Sequence, residues 1–223
     1  CGDPKAMAKV AILDPELTLS QPPRVTACTG IDAVAHAVES AVTRKRNDTS
    51  QEYSRVAFGL LSESLPRVLA NPDDLEARGR MLLGAAFAGT AIEHSMLGAA
   101  HSAANPLTAH FDVIHGQAVG LMLPHVVRFN GEDETVAGAY ASLVTGTSVA
   151  SANGKPATET LAQALEGFMD AASLPRDLAV CGVDAAKLEL LSEEAAGQWT
   201  ASFNPRDITA TDFSALYQKA FAS

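Results

Sequence analysis

Aromatic side chains are scarce in this sequence, 5% of 223 residues, while hydrophobic residues reach 47%. That combination excludes an aromatic-rich β-sandwich core and points to a core of Ala, Leu and Val, the side chains of closely packed helices. Cysteine is equally sparse: Cys1, Cys28 and Cys181 lie far apart with no C-x-x-C pair, so neither a disulfide framework nor a thiolate zinc knuckle is expected, and reduced thiols fit a cytoplasmic protein. Basic residues are too few for a polyanion partner. Sixteen Lys and Arg against twenty-six Asp and Glu give a net charge of −10, which disfavours nucleic acid and anionic lipid. No apolar run reaches the roughly 20 residues of a membrane-spanning helix, and the opening CGDPKAMAK has no signal-peptide core, so a soluble, non-exported chain is expected.

β-rich runs are also missing, with one exception. Val10-Ala11-Ile12-Leu13, bounded by Asp14-Pro15, reads as one short strand. A lone strand needs a sheet, so residues 1–24 are expected to be a remnant strand and linker from an absent N-terminal domain, with residues 25–223 forming a helical domain. Leu13, Leu17 and Leu19 would then be exposed, and self-association as a homodimer is expected.

Beyond Pro23 the apolar spacing is helical. It predicts helices over 25–42, 51–69, 76–92, 101–111, 116–129, 134–143, 159–171, 185–196 and 212–222. Pro66 is expected to kink or divide the second, and Pro106 and Pro124 to interrupt the fourth and fifth. The Ala- and Gly-rich third should lie at the centre of the bundle. The fold class is all-α, a multi-helix array.

All six histidines fall between His36 and His125, and His94, His101, His110 and His115 crowd into 94–115. A lone His on an apolar helix face is more often a hydrogen-bonded core residue than a ligand. Asp32 and His36 shift that balance, because i and i+4 place a carboxylate and an imidazole on one helix face. His101 and His115, on either side of a Pro-interrupted segment, can reach the same point from other elements. One Asp oxygen with three neutral imidazoles suits Fe2+ or Zn2+ and leaves a position for substrate.

GIDAVAHAVES (30–40), LGAAHSAANPL (97–107) and HGQAVGLMLPHVVRFN (115–130) closely resemble the iron-containing alcohol dehydrogenases, as do DPELTLSQPP (14–23) and NPRDIT (204–209). The resemblance implies a two-domain enzyme, an α/β domain for NAD or NADP followed by this helical domain, acting on a small alcohol or aldehyde. It implies Asp32, His36, His101 and His115 as metal ligands, the metal polarising the substrate oxygen for hydride transfer. Glu39 either orients a ligand ring or is a solvated helix carboxylate. Many family members carry a histidine where Asn105 stands here, and an amide cannot shuttle a proton. Asn105 and His110 are therefore carried as candidate catalytic residues, with His94 as a further substitute. Met96 and Phe111 are candidate pocket lining, and His125 is expected to pack between helices. No G-x-G-x-x-G or GGGS-like run is present, so the chain alone is expected to be nearly inactive. A glycerol dehydrogenase-like enzyme and a non-catalytic, metal-stabilised helical dimerisation module are the alternatives.

Overall fold

A computed structural model of the chain describes residue 5, residues 8–149 and residues 154–221. Among the described residues the regular elements are α-helices and short 3-10 turns, with no strand. The helices are α1 Pro23–Ser40, α2 Asp48–Ala70, α3 Leu75–His94, α4 Ala99–Phe111, α5 His115–Asn130, α6 Glu134–Val144, α7 Ala157–Ala171, α8 Leu188–Gly197 and α9 Ala210–Ala220. Several starts are written into the sequence as caps. Asn47 and Ser50 form a capping box on α2, Thr209 and Asp212 one on α9, and Asp74 and Asp133 cap α3 and α6. By contrast α1, α4 and α5 have no side-chain cap of their own.

The helical expectation holds throughout, and three local expectations change. Residues 10–14 take no regular structure; a strand exists by pairing, and among the described residues nothing pairs with them. They leave Val10 and Ile12 at 79% and 88% exposure, and Leu13, Leu17 and Leu19 are exposed as expected. The chain then enters a 3-10 turn, Pro15–Thr18, capped by Asp14. Pro66, Pro106 and Pro124 all sit inside unbroken helices, and Pro106 and Pro124 are buried there, so packing outweighs the lost hydrogen bond. The third helix is not the centre. α3 buries only Ala77, Arg78, Gly84, Ala88 and Ala91, whereas α5 buries most of its length. α1 packs against α2, α3 and α5, and α5 also meets α4, α7 and α9. Cys1 and Ala222 lie outside the described residues.

His125 packs on α5 among Arg128, Glu166, Arg176 and Lys219. Burial, reinforced by Arg128, pushes its pKa from 6.5 down to about 4. The native state therefore binds fewer protons than the unfolded chain between those values, so this contribution is complete above pH 6.5 and is lost as pH falls through about 4. Allowing for partial exposure, the loss is on the order of 2 kcal/mol. His125→Gln is expected to flatten the urea-midpoint profile across that range. Parallel profiles for the two proteins would disprove the assignment.

Candidate metal centre

α1 places Asp32, His36 and Glu39 on one face, at i, i+4 and i+7. α4 and α5 then begin against that face, and each contributes a histidine from its first turn, His101 and His115. Ligand atoms of Asp32, His101 and His115 all lie within 4.8 Å of one another. His101 Nε2 and His115 Nε2 stand 3.3 and 3.7 Å from Asp32 Oδ1, and His36 Nε2 is 3.5 Å from Asp32 Oδ2. The His36 ring stacks on His101 at 5.0 Å, but its nitrogen falls outside the tight trio.

Asp32 Oδ1 and His101 Nε2 are both buried with no hydrogen-bond partner. They stand 3.3 Å apart without the alignment of a hydrogen bond. Buried polar atoms left bare are costly, and two atoms that both offer lone pairs toward one point suit a cation. Burial alone would raise the Asp32 pKa, yet the adjacent His101 and the charges of His36 and His115 hold it below the usual carboxylate range. Burial lowers the pKa of His36 and of His115, with Asp32 opposing both shifts. Burial would do the same to His101, but Glu39 and Asp32 outweigh it and raise the pKa to about 9. Two carboxylates around one imidazole thus call for positive charge at this spot, as a proton or as a metal.

Glu39 is 3% exposed and has two tasks. Oε2 accepts from His101 Nδ1 at 2.5 Å, and Oε1 accepts from the backbone N–H of Ala100 at 2.7 Å. It therefore supplies the missing cap of α4 while fixing the His101 tautomer that leaves Nε2 as a lone-pair donor. Of the two readings open for Glu39, the structure selects the ring-orienting one over the solvated carboxylate.

The remaining candidates lie elsewhere. Asn105, one turn along from His101, donates Nδ2 to Gln198 Oε1 at 3.0 Å. His110 pairs with Glu194 at 2.8 Å, roughly 13 Å along α4 from His101. His94, at the end of α3, stacks on Tyr53. Met96 and Phe111 are both half-buried. Two site-building residues carried no chemical signal in the sequence. A Cβ on Gly116 would stand 2.0 Å from the Cys28 carbonyl oxygen and 3.3 Å from Asp32 Cβ, so glycine is what lets the start of α5 touch α1. Asn204 belonged to a motif without an assigned task, and it packs on the Gly98 turn that opens α4.

The model of the Fe-containing alcohol dehydrogenase family, C-terminal, matches residues 26–221. The long-chain-alcohol dehydrogenase 1 of Geobacillus thermodenitrificans (strain NG80-2) is 34% identical over 217 residues, covering 97% of this chain and 55% of its own. The NAD-dependent methanol dehydrogenase of Bacillus methanolicus is 31% identical over 98% of this chain and 57% of its own. The iron-containing alcohol dehydrogenase of Thermococcus thioreducens superposes with a TM-score of 0.87 at 26% identity, covering 99% of this chain and 57% of that one. The chain spans about half the length of these relatives, and over that span its sequence and helical architecture place it in the iron-containing alcohol dehydrogenase family, as the C-terminal domain.

Proposed function

We propose that this chain is the metal-binding part, residues 25–223 after a linker of residues 1–24, of a metal- and nicotinamide-dependent alcohol dehydrogenase or carbonyl reductase. The observation that carries the reading is the pair of bare buried atoms, Asp32 Oδ1 and His101 Nε2, gathered with His115. Asp32, His36, His101 and His115 would hold Fe2+ or Zn2+. A divalent ion bound there supplies Lewis-acid polarisation of an alcohol or carbonyl oxygen.

The chain's own residues set the terms of that chemistry. Asp32 is the one anionic donor, which leaves a net positive site for a developing alkoxide. Glu39 keeps the His101 proton on Nδ1. The His115 side chain is 42% exposed, so one side of the cluster opens to solvent; this supports a substrate position over a closed structural site. Asn105 and Gln198 are hydrogen-bonded to each other one turn along α4 from His101, and neither can carry a proton. His110, engaged by Glu194 far along α4, is not placed to take the substrate proton.

The hydride partner would be NAD or NADP on a separate N-terminal domain; the methanol dehydrogenase relative is NAD-dependent. A small alcohol or aldehyde is the proposed substrate, and a cytoplasmic homodimer the proposed state. None of the described helices is long and apolar enough to cross a membrane. The test joins the chain to a nicotinamide-binding domain of this family and measures NAD(P)-linked oxidation of short alcohols with Fe2+ or Zn2+. Asp32→Asn is expected to lower kcat by at least about 100-fold. Full activity in that variant would refute the assignment.

A further inference from the structure

The segment Gln198–Asn204, which includes the 3-10 turn Trp199–Phe203, runs antiparallel along α4 and meets one face of it at three points. Gln198 accepts from Asn105, Thr200 Oγ1 shares a 2.7 Å hydrogen bond with Ser102 Oγ, and Asn204 packs on the backbone of Gly98. Positions 98, 102 and 105 follow the i, i+4, i+7 spacing of a single helix face, so the segment is a strap laid along α4.

At its end the strap is locked by amides. Asn204 Nδ2 donates to Asn130 Oδ1 at 2.8 Å, and Asn130 Nδ2 donates back to Asn204 Oδ1 at 2.9 Å, with both side chains buried. A reciprocal pair alone could flip as a unit. Asn204 Nδ2 also donates to the Arg206 carbonyl at 3.0 Å, and because a carbonyl can only accept, the orientation is fixed. A Cβ at Gly98 would fall 3.3 Å from Asn204 Oδ1 and 3.1 Å from Glu39 Oε1. The Gly98 turn is thus held between the amide lock and the carboxylate that orients His101.

We propose that Asn204 is a positioning residue for the metal centre. Together with Asn130 it seats the Gly98 turn against Glu39, and so sets where the first turn of α4 holds His101 Nε2 relative to Asp32. Two interlocked amides do this with no net charge, whereas an Asp at 204 would bring a second carboxylate toward Glu39. The proposal rests on the metal-site reading above.

The test titrates Co2+ into this chain, following its visible absorption, with Zn2+ competition and thermal unfolding of the metal-free protein alongside. Asn204→Ala is expected to weaken Co2+ binding by roughly 10- to 100-fold and to change the absorption bands. Val144→Ala, a core truncation on α6, is expected to lower the unfolding temperature while leaving affinity and spectrum unchanged. Thr200→Val, which removes a strap bond without opening a cavity, is expected to weaken binding several-fold and serves if Asn204→Ala does not fold. Wild-type affinity and spectrum in a folded Asn204→Ala chain, or in Thr200→Val, would overturn the proposal alone. Equal weakening in Val144→Ala would also overturn it, by making affinity a mere proxy for stability. An unaltered chain that binds no Co2+ would overturn the metal-site reading and this proposal together.

Discussion

Replacing both His101 and His115 with alanine is expected to yield a protein without divalent metal, where the unaltered chain purified without chelator carries about one ion per chain. Those two imidazoles are two of the three donors that converge within 4.8 Å, so the substitution leaves Asp32 and the more distant His36. A carboxylate and one imidazole on a single helix face form a weak two-point site. A loss of at least about 1000-fold in affinity follows, roughly 4 kcal/mol. Stability changes as well. Removing His101 strips Glu39 Oε2 of its partner inside the core, although Ala100 N–H still bonds Oε1. A destabilisation of about 2–3 kcal/mol is expected in the metal-free state, carried by the buried carboxylate. Metal analysis and unfolding of the metal-free proteins separate the two effects. Stoichiometric metal in the double variant would move the site away from this cluster.

Much of the fold was legible because helix formation here is local. Apolar spacing marked each helix, while Asn47, Asp74, Asp133 and Thr209, all of capping type, went unread as the residues that cap four starts. Partners in space were not legible. Val10 to Leu13 has strand composition, but composition cannot say whether a ladder is present to pair with it. Pro106 and Pro124 read as breaks because the local cost is visible in sequence, while the burial that outweighs it is not. Spacing and family resemblance together selected Asp32, His36, His101 and His115, and the fold brings these four side chains to one region. Glu39 stayed ambiguous for a definite reason. Its place on the same face of α1 was readable, but its burial depends on α4 starting directly above it, with a bare Ala100 N–H to satisfy. The strap was invisible because its contacts with α4 join residues some 90 to 110 positions apart.

Gly116→Ala is the substitution for which local propensity and packing predict opposite signs. Gly116 sits in the first turn of α5 with an ordinary helical backbone, so helix propensity alone favours alanine by about 1 kcal/mol. Packing opposes it with a larger effect. The added Cβ would lie 2.0 Å from the Cys28 carbonyl oxygen and 2.7 Å from the Cys28 carbonyl carbon, and both are backbone atoms of α1 that no rotamer change can move. The start of α5 must retreat from α1 by an ångström or more, roughly, to restore contact distances. A net destabilisation of about 2–4 kcal/mol is expected. The functional cost is larger than that figure suggests. Within α1 the Cys28 carbonyl accepts from the Asp32 N–H, so the clash falls on the turn that carries the anionic donor. His115 is the residue directly before Gly116 and moves with it, lengthening its 3.7 Å approach to Asp32. Metal affinity is expected to fall by at least about 10-fold even where the variant remains fully folded. Urea unfolding and Co2+ titration of the same preparation decide the matter. A Gly116→Ala chain that gains stability and binds metal normally would mean that α1 and α5 do not meet as described, and the placement of His115 beside Asp32 would fall with that contact.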